Sequence, residues 1–235
     1  FYTGSIAEIA SYTTNHTSTE RVQVESYLSI KYGITLGGNG GTASYRNSSG
    51  TVIWTGGSYN YDIIGIGRDA NNGGLDQRKS NTVNGTVAVP NDVIVIANGA
   101  AAGTFASPAA MTNNGDYLLM GHNNGSVSTL TSGTFNHASS DFASRTTRIW
   151  QATKTGSPTG NFFIQVDMSR INGGTTANNK IALLIDDNAT FGEGVISEKK
   201  YLPASGYSTT GGMVTFTVPY SDLSGTSMYF TLGVA

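Results

Sequence analysis

The sequence predicts a mainly β chain built as two β domains, the second an Ig-like β-sandwich, with one N-terminal amphipathic helix. Three observations carry this reading. Short runs rich in β-branched and aromatic residues alternate with Asn-Gly and Gly-Gly turns; the alternation becomes longer and more regular beyond Phe142; and one stretch near the start carries helix-capping signals. The expected divisions are a strand and helix at 1–36, a Gly/Asn-rich β domain at 37–141 and the Ig-like sandwich at 142–235.

Residues 1–12 read as a strand, with Ile6, Glu8 and Ala10 on one parity and Ala7, Ile9 and Ser11 on the other, a pattern expected of burial on both faces. Thr17 followed by Glu20 is a capping box, so a helix is expected to start there. Val24, Tyr27, Leu28 and Lys31 fall on one of its faces. Gly33 can end it in the left-handed conformation, with Ile34 as the accompanying hydrophobic contact. The Gly, Asn and Ser-rich stretch 36–50 reads as an exposed loop or arm.

Strands are expected at 52–54, 61–67, 82–89, 93–97 and 117–121. Asn124-Gly125 tolerates the positive φ of a type I′ turn and is expected to join 118–120 to 127–130 as a hairpin. Further strands are expected at 148–153, 162–168, 180–185, 195–201, 214–218 and 228–234, the spacing of a sandwich. Those at 162–168 and 214–218 alternate strictly and read as half-buried. Trp150 is expected to plug the core.

Charged residues make up 12% of the chain, about half of the roughly 25% usual in soluble domains, while Gly occupies 31 positions. Gly, Ser, Thr and Asn therefore do the solvating, as on extracellular β modules. A net charge of -2 with 13 scattered basic residues supplies no stripe able to neutralise phosphates, which excludes nucleic acid as a partner. Without cysteine there is no disulfide, thiolate metal site or Cys nucleophile, so stability must come from packing, β ladders, bound ions or neighbouring subunits. No apolar run is long enough for a membrane helix. Residue 1 is Phe within an apparent strand and no signal peptide precedes it, so the chain is expected to be a mature or excised piece.

Gly4-Ser5-Ile6-Ala7-Glu8-Ile9, followed by Arg21 through Leu36 with its Lys31-Tyr32-Gly33-Ile34 phrase, resembles the last strand and helix of a bacterial LamG-like (concanavalin A-like) jelly roll. The phrases Tyr61 to Asp69 and Leu75 to Ser80 resemble an uncharacterised β domain that often follows such jelly rolls in large secreted bacterial surface proteins. The resemblance covers most of 4–155. It implies a jelly-roll-like or irregular sandwich for the first part and an extracellular or cell-surface location. The rest of a jelly roll is absent, so residues 1–12 become an orphan last strand. That strand is expected either to pack onto the following domain or to complete a sheet in a neighbouring chain through Phe1, Tyr2, Ile6, Ile9 and Tyr12.

Candidate chemistry is sparse. Asp69, Asn71 and Asp76 place oxygen side chains along a Gly-bearing loop, the layout a hard cation such as calcium takes, and Asp186, Asp187 and Asn188 form a second acidic loop of that kind. Either loop can instead be a turn in which Asp and Asn cap their own backbone. Trp54, Tyr59 and Tyr61 lie close together beside Gly56-Gly57, where exposed rings would stack on sugars and buried ones would simply pack. His16, His122 and His137 have no neighbour at a metal spacing and no Ser-containing elbow. Glu193 and Glu198 flank a strand, but nothing sets two carboxylates across a cleft. Gly65-Ile66-Gly67 lacks the third glycine and the helix of a phosphate-binding loop.

These readings converge on a non-enzymatic structural or adhesive module of a secreted bacterial surface protein, an extracellular fibre subunit joined by strand exchange. Its expected partners are further copies of itself or neighbouring domains. The alternative is a carbohydrate-binding module with calcium-stabilised loops, for which glycans are the partner.

Overall fold

The computed structural model describes residues 3–55, 57–71, 74–82, 93–100, 103–132, 144–171, 181–191, 199–201, 212–223, 225 and 227–234. Helix α1 (Ser18–Tyr32) begins at its capping box: Thr17 Oγ1 accepts the Glu20 N–H at 3.3 Å, and Glu20 Oε2 accepts the Thr17 N–H at 2.7 Å. Two amides that the helix cannot satisfy internally are thereby paired. Gly33 ends the helix at φ 64°, and a Cβ at that position would stand 2.3 Å from the Asn81 carbonyl oxygen. Only glycine meets both demands.

The buried face of α1 differs from the expected one. Ser26, Ser29 and Ile30 point inward, whereas Val24, Tyr27, Leu28 and Lys31 are only partly covered. Backbone approach decides this. Strand β1 (Tyr45–Arg46) docks on the helix so closely that Ser26 Oγ, donating to Val22 O at 2.6 Å, accepts the Arg46 N–H at 2.9 Å. A larger residue at 26 would hold the two elements apart. The stretch read as a loose arm therefore contains a strand, and Tyr45 within it is buried. Ile34 stays 48% exposed, so the expected hydrophobic contact after the helix is largely unmade.

The remaining strands are β2 (Val52–Trp54), β3 (Tyr61–Asp69), β4 (Leu75–Gln77), β5 (Lys79–Asn81), β6 (Ile94–Ala100), β7 (Tyr117–His122), β8 (Leu130–Ser132), β9 (Ser144–Thr146), β10 (Trp150–Thr155), β11 (Asn161–Asp167), β12 (Ile181–Asp186), β13 (Lys199–Tyr201), β14 (Met213–Pro219) and β15 (Ser227–Val234). The chain is mainly β, and all described pairings are antiparallel. A nine-stranded sheet runs β13-β12-β15-β10-β7-β3-β4, with β9 against β15 and β8 against β9. A four-stranded sheet runs β14-β11-β6-β5, and β1 pairs with β2.

The large sheet is the middle layer. On one face Ile64, Leu118, Met120, Trp150, Leu183 and Phe230 pack against Ile96, Phe162, Ile164, Phe216 and Val218 of the small sheet. On the other face the alternate residues of the same strands serve different cores. Ile63, Tyr117 and Leu119 meet Ile30 of α1 with Tyr45, Ile53 and Trp54, while Ala182 and Leu184 meet Ile149 and Phe191. Burial on both faces explains the unbroken apolar runs of β7 and β12. The small sheet covers the core with one face only, and β11 and β14 alternate accordingly, as their sequences predict. Trp150 lies in the main core.

Three expectations need correction. The division at 142 is not a break in the fold: β10 pairs with β7 on one side and β15 on the other, and residues from 64 to 232 share one core. Residues 3–12 form no strand, because no described strand lies beside them to pair with. Asn124 takes its positive φ of 60°, yet no hairpin follows, since β7 is already paired on both edges and β8 joins β9. A Cβ at Gly125 would lie 2.3 Å from the Thr147 carbonyl oxygen, so this glycine serves a close approach between loops. The strand expected at 82–89 falls, apart from Thr82, outside the described residues, and β5 precedes it at Lys79–Asn81.

Candidate functional site

Residues 3–12 run along α1 with every side chain exposed except Glu8, which is half-buried. Ile6 is 61%, Ile9 78% and Tyr12 52% exposed. Phe1 and Tyr2, expected to join them in strand exchange, lie outside the described residues. Glu8 ties the segment to α1. Glu8 Oε1 accepts from Tyr27 Oη at 3.1 Å, and Oε2 accepts from Lys31 Nζ at 3.0 Å and Tyr32 Oη at 2.8 Å. The Lys31 hydrogen bond, followed by those of Tyr32 and Tyr27, holds the Glu8 carboxyl below its ordinary range. Lys31 is raised, first by Tyr27 and then by Glu8. Tyr27 and Lys31 of the face named from sequence thus carry the N-terminal segment, and Tyr27 also packs against the core around Ile30.

Between this segment, α1, the turn after β1 and the start of the β3–β4 loop lies a cavity of about 720 Å³. Its floor is Asp69 with Tyr117. Asp69 accepts from Ser48 N at 2.8 Å, Ser48 Oγ at 2.6 Å, Tyr117 Oη at 2.7 Å and Asn71 N at 3.3 Å. Burial pushes the Asp69 carboxyl up, but the Ser48 and Tyr117 hydroxyls outweigh it and leave it lowered. Tyr117 is raised by burial and by the adjoining carboxylate. Asp69, proposed from sequence as a calcium ligand, therefore has its oxygens on protein donors. Asp76 is likewise engaged, by Arg78 Nε at 2.9 Å. Asn71 contributes only its backbone to this network.

The second acidic loop closes on itself. Asp186 is buried and accepts the Phe191 N–H at 3.2 Å; Asp187 accepts from the Asn188 amide at 3.2 Å; and Asn188 Oδ1 accepts the Thr190 N–H at 2.8 Å. Phe191, at φ 51°, is held there with its ring under Arg145. These are backbone-capping turns of the kind Asp and Asn favour. Among the described residues no group of three or more His, Cys, Asp or Glu side chains is placed to hold a metal ion.

Trp54, Tyr59 and Tyr61 face inward. Trp54 is buried, with its Nε1 donating to Asn60 Oδ1 at 2.7 Å; Tyr59 packs on Tyr229 at 5.3 Å; and Tyr61 stacks on His122 at 5.9 Å. His122 belongs to a polar knot that sequence spacing did not reveal. Its Nδ1 accepts the Asn124 N–H at 2.9 Å, so the proton sits on Nε2, which donates to Asp62 Oδ2 at 2.7 Å. Asp62, at φ 49°, also exchanges two hydrogen bonds with Asn39. Burial first, and then the Arg148 charge, drives His122 below its ordinary pKa, with Asp62 opposing both. With both ring nitrogens committed, this pair positions loops and has none left to activate a nucleophile. His137, Glu193 and Glu198 lie outside the described residues.

No curated protein matches the chain, and no solved structure matches it. A family model, described as Domain of unknown function (DUF8202), matches residues 20–219, which takes in most of α1 and both sheets up to the end of β14. The exposed segment 3–12 lies outside that match. Covering well over half of the sequence, the match shows that this chain belongs to the DUF8202 family.

Proposed function

We propose that the chain is a non-enzymatic structural or adhesive module of a secreted bacterial surface protein, linked to a neighbouring module by strand addition of residues 3–12. One observation carries this. A segment with no secondary structure of its own holds Ile6 and Ile9, of opposite parity, in solvent, so that a sheet receiving it would bury both. The Glu8 anchor supports the reading, because it fixes the segment's position on α1 without covering its apolar side chains. The resemblance of 4–36 to the last strand and helix of a LamG-like jelly roll supports it too. Within the proposal, the stacked sheets are read as one jelly-roll-like sandwich, supported by their shared core. The low charge content supports an extracellular setting.

Sedimentation velocity over a concentration series tests the linkage. The full chain is expected to form concentration-dependent oligomers, and a chain lacking residues 1–12 to stay monomeric with unchanged circular dichroism. A full chain that remains strictly monomeric, or a truncated one that still assembles, would overturn strand addition.

A further inference from the structure

We propose that the cavity beneath the N-terminal segment binds a neutral carbohydrate. This goes beyond the linking role, and it moves sugar recognition away from Trp54, Tyr59 and Tyr61, which are packed inside the fold. The volume, about 720 Å³, lies within the roughly 300–1,000 Å³ of small-molecule sites.

The wall chemistry selects the ligand class. Three carboxylates line the cavity: Glu8, Glu20 and Asp69. Glu8 is taken by Lys31, Tyr27 and Tyr32, and Asp69 by Ser48, Tyr117 and Asn71. What is left facing a ligand is Glu20, which uses only Oε2 in the helix cap, and the guanidinium of Arg46, which spends one nitrogen on Gly50 O. Open hydrogen-bonding capacity therefore remains on one group of each sign, the Asp69 oxygens being filled by neutral donors. An ionic ligand would leave one of them uncompensated, and a purely apolar ligand would desolvate both.

A hydroxylated ligand satisfies the wall. His16 lines the cavity beside Glu20, its Nδ1 3.9 Å from Glu20 Oε2. One sugar hydroxyl can donate to the unused Glu20 oxygen, and another can accept from the Arg46 guanidinium. Tyr12, set edge-on to His16 with ring centroids 4.1 Å apart, offers an aromatic ring, and Val24 and Leu75 offer apolar surface for the C–H face of a pyranose.

Saturation-transfer NMR of the full chain with glucose, galactose, mannose, N-acetylglucosamine and cellobiose tests the site, with Nα-acetyl-lysine amide and 1-octanol as cationic and apolar probes. At least one saccharide is expected to show transfer. Its affinity should fall roughly tenfold or more in Tyr12→Ala, which removes the ring, and in Val24→Trp, which fills the space. Silence from every saccharide, saccharide binding that survives Val24→Trp, or displacement of the bound sugar by either non-sugar probe would overturn the proposal. Should Val24→Trp fail to fold by circular dichroism, Tyr12→Ala decides, because its side chain lies half in solvent. The sedimentation result reads assembly alone, so failure of one proposal is distinguishable from failure of the other.

Discussion

At the level of single residues, the polar groups with most at stake are those whose partners arrive from far along the chain. His122 and Asp62 are 60 positions apart, and burial holds the imidazole below its ordinary value of 6.5. The unfolded chain therefore binds a proton that the folded chain refuses, and stability present above about pH 6.5 declines as pH falls through the lower folded value. Protonation would also turn Nδ1 into a donor facing the Asn124 N–H. Urea unfolding from pH 7 downward should show this slope in the wild type and a shallower one in His122→Gln; identical slopes would assign the acid sensitivity elsewhere. Tyr117→Phe removes the hydroxyl that donates to the Asp69 carboxylate and should cost about 1.5–3 kcal/mol in the same assay, the range for a hydrogen bond to a charged group. Neither network is legible in the sequence. Asp69 reads as a calcium ligand there because its true donors, Ser48 and Tyr117, become neighbours only once β3 and β7 pair and the β1 turn folds over them.

Among the elements, what is local is what the sequence discloses. The start of α1 is written in Thr17 and Glu20, and its end in Gly33, because caps involve residues within a turn of one another. Thr17→Ala should lower stability by about 1 kcal/mol by freeing an amide. Gly33→Ala should cost more than the roughly 1–2 kcal/mol of a left-handed alanine, since its Cβ would also strike Asn81 O. Equal thermal shifts for the two variants would show that the helix end is looser than its contacts imply. Which face of α1 is buried was not legible, because the small serines that admit β1 carry no hydrophobic signal. Strand positions were legible from alternation, as in β11 and β14, but partners were not. Asn124-Gly125 shows the difference: its backbone takes the conformation its residues favour, while the edge of β7 it would have paired is occupied by β10.

Across the whole molecule, the shared core governs behaviour. Trp150 and Met120 on either side of the expected boundary contribute to one cluster, and the large sheet crosses that boundary through the β7–β10 ladder. Chains cut after residue 141 should therefore yield halves that do not fold separately, and the intact chain should melt in one cooperative transition. Calorimetry showing two independent transitions would restore the two-domain reading. That unity escaped the sequence because sheet membership is set by long-range pairing, whereas the change in alternation after Phe142 marks only where one-face burial replaces burial on both faces.

The position of β15 has a consequence for the life of the chain. It lies between β12 and β10, near the middle of the large sheet, yet it is the last of the described strands to be synthesised. Until it arrives, β10 and β12 each present an open ladder. It closes the gap between β10 and β12 last among the described strands, and long-range pairing of this kind folds slowly.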